Sequence, residues 1–465
     1  MGTTRDMFKK LKGIYIIYFE IILICRTIGP LILMPNVIDK LFFVSSGLIG
    51  IGIIGIDFIF SVKEKNWKKY DLFLILFLAV MCISSLMNMN YGVFENIKMI
   101  MWQAIYFLII FQYGKDYGKK DKINSYFQLV LMVSWFFSAI VSLGMFIIQY
   151  GVKIPMSNRY YPLRMGFLGN RLFGVFPDPN FGATISVVVI ILSVYYLLNK
   201  ADLKNWMKAF HILNIIFQIM FISLSGSRSA VIVLLIVLGV ATFFTLLHSE
   251  KVNVKNSILK FLIAVAGAVI VAGISYLMID MVKSLLSYLP GLLHPAGSEG
   301  ISGSGNANRI SLDRPDVSEG GDVSNLRFSL WSSAIEIFKS SWLFGASPMN
   351  YIPYAHDLLP FTFIGRNTLT VHNFVFLVLA TTGFAGMITF FTFFLNKVFI
   401  SVKYLFKRKN LVNDLTFYYI LSILAIAVSA LFITELILVS TIGSVVFWFF
   451  VGVITNSSKE TEDHN

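Results

Sequence analysis

Arginine is the residue type whose placement in this 465-residue chain points most directly to chemistry. A planar guanidinium can hold a phosphate group through two parallel hydrogen bonds, whereas lysine acts as a point charge. The chain has eleven arginines, and eight of them fall in three segments that separate long apolar runs: Arg159, Arg164, Arg171, Arg228, Arg309, Arg314, Arg327 and Arg366. This clustering favours a site for a phosphate-bearing ligand over arginines spread across a surface.

A histidine follows these arginines at the start of a later apolar run. His372 lies in the sequence Thr370-Val371-His372-Asn373. Because the pKa of imidazole lies near neutral pH, a histidine beside a cluster of arginines is a candidate general base. A purely structural role for His372 fits this spacing equally well.

Two predicted helix starts carry arginines where a bound anion would be favourable. Arg228 follows the small residues Ser225-Gly226-Ser227, and an arginine at a helix start opposes the helix dipole unless an anion is present. The alternative for Arg228 is a side chain that reaches towards the membrane surface. Arg327 lies in the first turn of a helix predicted for Ser324–Ser340, with Ser324 as its cap, so its charge adds to the positive end of the helix dipole.

A third helix start follows Arg171 by a few residues. The sequence Asp178-Pro179-Asn180 precedes an apolar run, and we expect Asn180 to be the N-cap of that helix. A cap and turn without any ligand contact is the alternative reading of Asp178 and Asn180. Arg171 would lie close to the membrane surface.

The elements that position these side chains are predicted to be membrane helices. Hydrophobic residues make up 57% of the chain and charged residues only 14%, against about 25% charged residues in an ordinary soluble domain. A water-soluble fold has too little interior to bury so much apolar surface. Two cysteines, Cys25 and Cys82, are too few for a disulfide framework or a thiolate metal site.

A membrane-spanning helix needs about 20 mostly apolar residues. This length predicts twelve spans: Gly13–Pro35, Leu41–Val62, Leu72–Met89, Ile97–Phe111, Tyr126–Tyr150, Phe181–Leu198, Met207–Leu224, Ala230–Leu247, Ile258–Ile279, Thr370–Leu395, Leu415–Ile433 and Leu436–Ile454. The tenth span is long, and Gly383 and Gly386 would permit a bend in it. We therefore expect an all-α integral membrane protein of about twelve transmembrane helices.

Lysines predict the orientation of these spans. The N-terminus and every even-numbered connection are rich in lysine, for example Lys63, Lys65, Lys68 and Lys69 in the second connection. By the positive-inside rule these connections and both termini are cytoplasmic. The three arginine-bearing segments then face outward, so the net charge of +13 is explained without a nucleic-acid partner.

One outward connection is much longer than the others. It separates a membrane domain of residues 1–280 from a second membrane domain and tail of residues 370–465. Within residues 281–369 we expect an amphipathic segment at Met281–Leu293, a linker at His294–Val323 and the helix at Ser324–Ser340. The fold prediction thus includes one large extracytoplasmic loop with short helices between spans 9 and 10.

Taken in order, these motifs resemble those of the O-antigen polymerase and O-antigen ligase superfamily. The resemblance extends from about Asn170 to Met387 and is carried by the following segments: Asn170-Arg171-Leu172-Phe173-Gly174-Val175-Phe176 with Asp178-Pro179-Asn180, Ser225-Gly226-Ser227-Arg228-Ser229, Arg327-Phe328-Ser329-Leu330-Trp331, Trp342-Leu343-Phe344-Gly345, and His372-Asn373 with Gly383 and Gly386. One departure is Thr381-Thr382, where many members have an acidic residue before the glycine of the tenth helix.

The resemblance implies a glycosyltransferase of the bacterial plasma membrane. Its donor and acceptor would be oligosaccharides linked to polyprenyl pyrophosphate, with no cofactor and no metal, and the transfer would invert the anomeric carbon. The catalytic positions carry over to His372, Arg171 and Arg228. Substrate binding carries over to Arg327, Asn180 and Asn373, and is extended to Arg159, Arg164 and Arg366, which could hold acidic or phosphorylated sugars. A flippase and a chain-length regulator are possible partners.

Two other functions are compatible with the sequence. A ligase that moves a finished glycan to another acceptor would use the same motifs. A flippase or transporter for lipid-linked sugars suits twelve spans, but coupled transporters usually show internal pseudo-symmetry and ionisable residues at the membrane midplane. Here the long loop occurs once, and the charges predicted within spans are few, among them Glu20, Arg26 and Asp57.

Overall fold

A computed structural model describes residues 2–66, 69–156, 162–252, 254–293, 309–314, 324 and 326–462 of the chain. This part of the chain is predominantly helical. In chain order the helices are α1 (Gly2–Thr27), α2 (Gly29–Ile32), α3 (Asn36–Lys63), α4 (Leu72–Met87), α5 (Val93–Tyr117), α6 (Lys122–Ile147), α7 (Pro179–Asn199), α8 (Asn205–Ser225), α9 (Arg228–His248), α10 (Ser257–Leu286), α11 (Leu289–Leu293), α12 (Arg327–Ser340), α13 (Tyr351–Leu358), α14 (Phe363–Asn367), α15 (Phe374–Lys407), α16 (Leu415–Ser429) and α17 (Ile442–Glu462).

Many of these helices are suited to a membrane. Among the described residues, eight are long and apolar enough to cross one: α3, α5, α6, α7, α8, α9, α10 and α15. Three shorter apolar helices lie at Leu72–Met87, Leu415–Ser429 and Ile442–Ser457. The chain is thus a multi-pass membrane protein. Each of the twelve predicted segments overlaps a helix, but the count of twelve spans is not confirmed. The three shorter apolar helices do not reach the length of a full crossing, and α1, although 26 residues long, is not among the eight.

The centre of the bundle is α7. It is the most deeply buried of the eight long apolar helices, and α6, α8, α9 and α16 pack against it. A helix that is apolar on all sides is stable in such a position because every face meets another helix. The N-terminus of α7, at Pro179, opens at the end of the bundle that also carries α12, α13 and α14, which we call the long-loop end.

A small antiparallel sheet precedes α7, although the sequence predicted no strands. Its strands are β1 (Gly151–Ile154), β2 (Leu163–Leu168) and β3 (Arg171–Gly174), in the order β1-β2-β3. Gly169 and Asn170 join β2 to β3, and both have positive φ, 57° in each case. Two such residues form the type I′ turn that fits the twist of a tight hairpin. This turn fixes Arg171 as the first residue of β3.

The predicted bend in the tenth span lies at Gly383, where α15 is non-helical with a φ of 63°. The kink exposes backbone groups of α15 that a regular helix would pair internally. The segment Trp342–Ser347 supplies partners for them. Phe384 N donates to Trp342 O at 2.8 Å, and Ala346 N donates to Ala380 O at 2.9 Å. The kink therefore anchors part of the long loop to α15.

Two boundaries differ from those predicted. Helix α10 continues through Leu286, since no helix-breaking residue follows Ile279, so Met281 belongs to the long helix rather than to a separate surface segment. Helix α12 begins at Arg327, so Ser324 is not its cap. Most of the predicted linker at His294–Val323 lies outside the described residues.

The last two predicted spans are separated by more non-helical chain than expected. Helix α16 ends at Ser429 and α17 begins at Ile442, which leaves residues 430–441 without regular structure. Half of these residues are nevertheless buried. Their backbone and side chains form part of the wall at the long-loop end, where the candidate site lies.

Candidate functional site

A cavity of about 390 Å³ opens at the long-loop end, beside the N-terminus of α7. Its walls come from β2 and β3, the start of α7, the first turn of α12, the residues before α15, and residues 430–441. The lining residues are Pro162, Arg164, Arg171, Phe173, Pro177, Asp178, Pro179, Asn180, Leu326, Arg327, Leu330, Leu369, His372, Phe432 and Ile433. Among the described residues of this lining, three arginines face one carboxylate, so the cavity is suited to an anion.

Arg171 is held by two neighbours. Its Nε donates to the backbone carbonyl of Ser225 at 2.9 Å, and its Nη2 donates to the side-chain carbonyl of Asn180 at 3.4 Å. Ser225 is the last residue of α8, where helix carbonyl groups lack intrahelical partners. The guanidinium thus joins the end of one helix to the start of another, in a half-buried position.

An aromatic ring aligns two of the cavity arginines. The guanidinium carbons of Arg171 and Arg164 lie 5.1 Å and 5.9 Å from the centre of the Phe173 ring. Cations are attracted to the face of an aromatic ring, and this contact restricts the side chains without consuming their N–H donors. Phe173 therefore holds two like charges at the same wall.

Arg327 is the first residue of α12. Leu326 before it has a φ of 66°, a left-handed conformation that turns the chain sharply into the helix. The guanidinium carbon of Arg327 lies 5.5 Å from the centre of the Phe432 ring. Burial lowers the pKa of Arg327, and the charges of Arg228 and Arg314 lower it further. An anion in the cavity would relieve this repulsion.

Arg228 and Arg314 flank the cavity rather than line it. Arg228 is the first residue of α9 and is exposed, while Ser227 caps that helix through a hydrogen bond from Ala230 N. Arg314 Nη1 donates to the carbonyl of Gly226 at 2.9 Å. The Ser225-Gly226-Ser227 loop is therefore contacted by arginines from two other segments, and Arg228 contributes positive charge at its edge.

His372 lines the cavity next to the start of α15. Its φ of 51° is uncommon for a residue with a side chain, and such strained backbone is often found at functional sites. Burial lowers the pKa of His372, and the charge of Arg327 lowers it as well, whereas Asp178 raises it. Its Nε2 lies 3.2 Å from Thr370 Oγ1. The net effect keeps the imidazole neutral near pH 7, as a general base requires.

The first turn of α7 contributes a carboxylate and an amide. Asp178, and not Asn180 as expected, is the N-cap, because its side chain accepts a 2.8 Å hydrogen bond from Asn180 N. The side chain of Asn180 instead accepts the hydrogen bond from Arg171. The positive end of the α7 dipole points to the same cavity as the arginines, which adds to its affinity for an anion.

Of the three other predicted residues, two are described and lie outside the cavity lining. Asn373 is buried and caps α15, accepting from Val375 N and Phe376 N and donating to Leu431 O at 3.0 Å. Arg366, in α14, is exposed and donates to Pro360 O at 3.4 Å. Arg159 lies outside the described residues. Asn373 therefore shapes the wall that contains residues 430–441, and Arg366 is separate from the cavity lining.

Sequence reasoning missed three residues of this region. Phe173 stands within the motif that carries Arg171, but a phenylalanine among many gives no signal of its own. Phe432 and Glu435 belong to residues 430–441, which were assigned to two spans and a short connection. The signal that could have found Glu435 is an acidic residue inside an otherwise apolar stretch, Ala430-Leu431-Phe432-Ile433-Thr434-Glu435-Leu436-Ile437.

Comparison with known proteins agrees with the motifs. Residues 213–391 match a family model described as O-antigen ligase. This range contains Arg228, Arg327 and His372, and Arg171 precedes it. No curated protein matches the chain. The family match confirms the resemblance to the O-antigen polymerase and ligase superfamily.

Proposed function

We propose that this member of the O-antigen polymerase and ligase superfamily is a membrane glycosyltransferase that joins lipid-linked oligosaccharide repeat units into a surface polysaccharide. The donor would be a glycan on polyprenyl pyrophosphate, bound at the outer face of the bacterial plasma membrane with both termini of the enzyme in the cytoplasm. The observation that supports this most is the cavity in which Arg164, Arg171 and Arg327 meet His372 at the N-terminus of α7.

The pyrophosphate of the donor matches the charge of this cavity. Three arginines line it and the α7 dipole adds partial positive charge, so negative charge that develops on the leaving group would be stabilised as the reaction proceeds. Leu330, Leu369 and Ile433 form apolar wall beside the charges. A ligand with a pyrophosphate next to an isoprenoid chain presents the same two surfaces.

His372 would act on the acceptor. A hydroxyl oxygen of the acceptor sugar attacks the anomeric carbon of the donor, and the imidazole takes the hydroxyl proton as the new glycosidic bond forms. The bond between the anomeric carbon and the pyrophosphate oxygen breaks at the same time, and polyprenyl pyrophosphate leaves with the electron pair. Attack from the side opposite the leaving group inverts the anomeric carbon. The arginines stabilise the negative charge that develops on the leaving group, and His372 accepts the proton.

Ligation of a finished glycan is the second candidate, and the description of the matching family favours it. The chemistry at the anomeric carbon is the same for both, and only the acceptor differs. In a strain that lacks the protein, loss of a polymerase leaves single repeat units on the surface. Loss of a ligase leaves long glycans on the lipid carrier, and loss of a flippase leaves repeat units at the cytoplasmic face.

Substitution in that strain tests the site. We expect Arg171→Ala, Arg228→Ala and His372→Ala to abolish the polymer at unchanged abundance of the protein in the membrane. Arg408→Ala is a matched control, because Arg408 pairs with Asp414 in a different part of the protein, at 3.3 Å. Near-normal polymer from all three site variants would refute the proposed site.

A further inference from the structure

Glu435 is a fully buried carboxyl group at the long-loop end that the proposed reaction does not use. It lies in residues 430–441, between α16 and α17. Its Oε2 is 3.1 Å from Ser429 Oγ, and its Oε1 has no hydrogen-bond partner among the described residues. An ionised carboxylate buried in this way, without a cation beside it, would be costly.

The surroundings of Glu435 favour its neutral form. Burial raises the pKa of Glu435, the hydrogen bond from Ser429 lowers it, and the negative charge of Asp178 raises it; the net pKa is about 8. Helix α17 contributes Gly443, where a Cβ would lie 2.4 Å from Glu435 Oε1, and Ser444, whose hydroxyl donates to the Glu435 carbonyl. The hydroxyl of Tyr106, in α5, faces Ser440 and Ser444. Asp178 is the charged group among the described residues that acts on Glu435.

A line of hydroxyl groups connects Glu435 to the first turn of α7. Ser429 Oγ lies 2.7 Å from Thr184 Oγ1, and Thr184 Oγ1 lies 3.0 Å from the backbone carbonyl of Asn180. The line therefore runs from the carboxyl group through Ser429 and Thr184 to Asn180. Asn180 in turn receives Arg171 through its side chain.

The protonation state of Glu435 sets the direction of these hydrogen bonds, because each hydroxyl has a single proton to donate. When Glu435 is protonated, it donates to Ser429, Ser429 donates to Thr184, and Thr184 donates to the Asn180 carbonyl. When Glu435 is ionised, Ser429 must donate to it and Thr184 must donate to Ser429. The Asn180 carbonyl then loses the hydrogen bond from the Thr184 hydroxyl.

We propose that Glu435 is a positioning residue for the anion site: in its protonated form it anchors the first turn of α7 through Ser429 and Thr184, and so holds Asn180 against Arg171. The inference rests on the proposed function, because it assigns Glu435 a part in binding the pyrophosphate of the donor. Ionisation of Glu435 loosens this turn and places a second negative charge near Asp178. Both effects weaken binding of an anionic donor as the pH rises.

The dependence on pH distinguishes this role from a purely structural one. Transfer by the purified full-length protein in liposomes is measured from pH 7 to pH 9, with the lipid-linked repeat unit as donor. If only the protonated form binds well, the KM for the donor in the wild type rises about fivefold between pH 8 and pH 9. Glu435→Gln keeps an N–H that can donate to Ser429 and cannot ionise. We therefore expect Glu435→Gln to be active at pH 7 and its KM for the donor not to rise between pH 8 and pH 9.

Two variants complete the test. Glu435→Ala removes the donor, so its KM at pH 7 should be several-fold above that of Glu435→Gln. Thr184→Val disconnects Glu435 from Asn180 at nearly constant volume and should raise the KM at pH 7 while kcat changes little. Identical pH profiles for the wild type and Glu435→Gln would overturn the inference, as would an unchanged KM in Thr184→Val. Absence of transfer by the wild type at every pH would instead refute the proposed function.

Discussion

The Nε atom of Arg171 donates a 2.9 Å hydrogen bond to the backbone carbonyl of Ser225. This bond joins two segments that are 54 residues apart in the chain and that each carry an arginine at the same end of the bundle. It ties the hairpin of β2 and β3 to Ser225, the last residue of α8 and the first residue of the Ser225-Gly226-Ser227 loop that precedes α9. The distances between the site arginines are thus set by backbone contacts rather than by flexible side chains alone.

Arg171→Lys tests whether these contacts matter beyond charge. A lysine keeps the positive charge, but its ammonium group cannot contact Ser225 and Asn180 with the same fixed geometry while it meets a phosphate. A hydrogen bond that involves a charged group contributes about 1.5–3 kcal/mol, so we expect kcat/KM to fall by roughly 10- to 150-fold. The rate is measured with the reconstituted protein, and Arg366→Lys, at an exposed position, should remain near the wild type. Full activity of Arg171→Lys would show that charge alone is required.

The acidic limb of the pH profile tests His372 as the base. Burial and Arg327 lower the pKa of His372 and Asp178 raises it, so the neutral base persists at pH 7 and is lost as the pH falls below the ordinary value of about 6.5. Arg327→Gln removes a charge that lowers the pKa and should move the acidic limb to higher pH. Asp178→Asn, which preserves a good helix cap, should move it to lower pH. The profile of kcat/KM is measured between pH 5 and pH 8. If both variants move the acidic limb in the same direction, or if neither variant moves it, His372 is not the titrating group.

The sequence was sufficient to predict the helical segments of the membrane domain and to single out Arg171, Arg327 and His372, which the structure brings to one cavity. The helices could be predicted because lipid restricts the chain to apolar helices of known length. The sequence was not sufficient to predict the hairpin that presents Arg171. Strands of four to six residues have weak periodicity, and the Gly169-Asn170 turn is a short signal within a loop rich in glycine.

Contacts between distant segments also could not be predicted from the sequence. The spacing of Asn373 and His372 did not show that one side chain would cap α15 while the other lined a cavity. Glu435 was overlooked because its neighbours are apolar, which placed it in the short gap between two spans. The hydroxyl groups of Thr184 and Ser429 become informative only when α7 and α16 are packed together.

Arg164 and Arg366 were predicted together as residues that hold the sugars, and the structure separates them. Arg164 lines the cavity beside Phe173, whereas Arg366 is exposed and outside the lining. We expect Arg164→Ala to shorten the polymer and raise the KM for the donor several-fold, since one of three cavity cations is lost. Arg366→Ala should leave both nearly unchanged. Gel analysis of product length checks this, and equal shortening by the two variants would place the growing chain against both residues.

Gly345 should be required for the contact between the long loop and the kink of α15. Its φ is 76°, and a Cβ at this position would lie 2.3 Å from the backbone carbon of Thr381. Combining left-handed strain with overpacking, we expect Gly345→Ala to destabilise the protein by roughly 2–5 kcal/mol. The thermal midpoint in detergent should fall clearly. Gly144→Ala is the control, because the space around that helical glycine is open. A midpoint unchanged by Gly345→Ala would mean that the loop does not pack at the kink.

The most direct test of the account is transfer by the purified protein in liposomes, supplied only with a repeat unit on polyprenyl pyrophosphate. Product length and released polyprenyl pyrophosphate are measured together for the wild type, His372→Ala and the control Arg408→Ala. We predict a ladder of extended glycans with one polyprenyl pyrophosphate released per bond in the wild type and the control, and neither product with His372→Ala. Transfer by His372→Ala at the wild-type rate, or no glycosidic bond formation by the wild type, would contradict the proposed function.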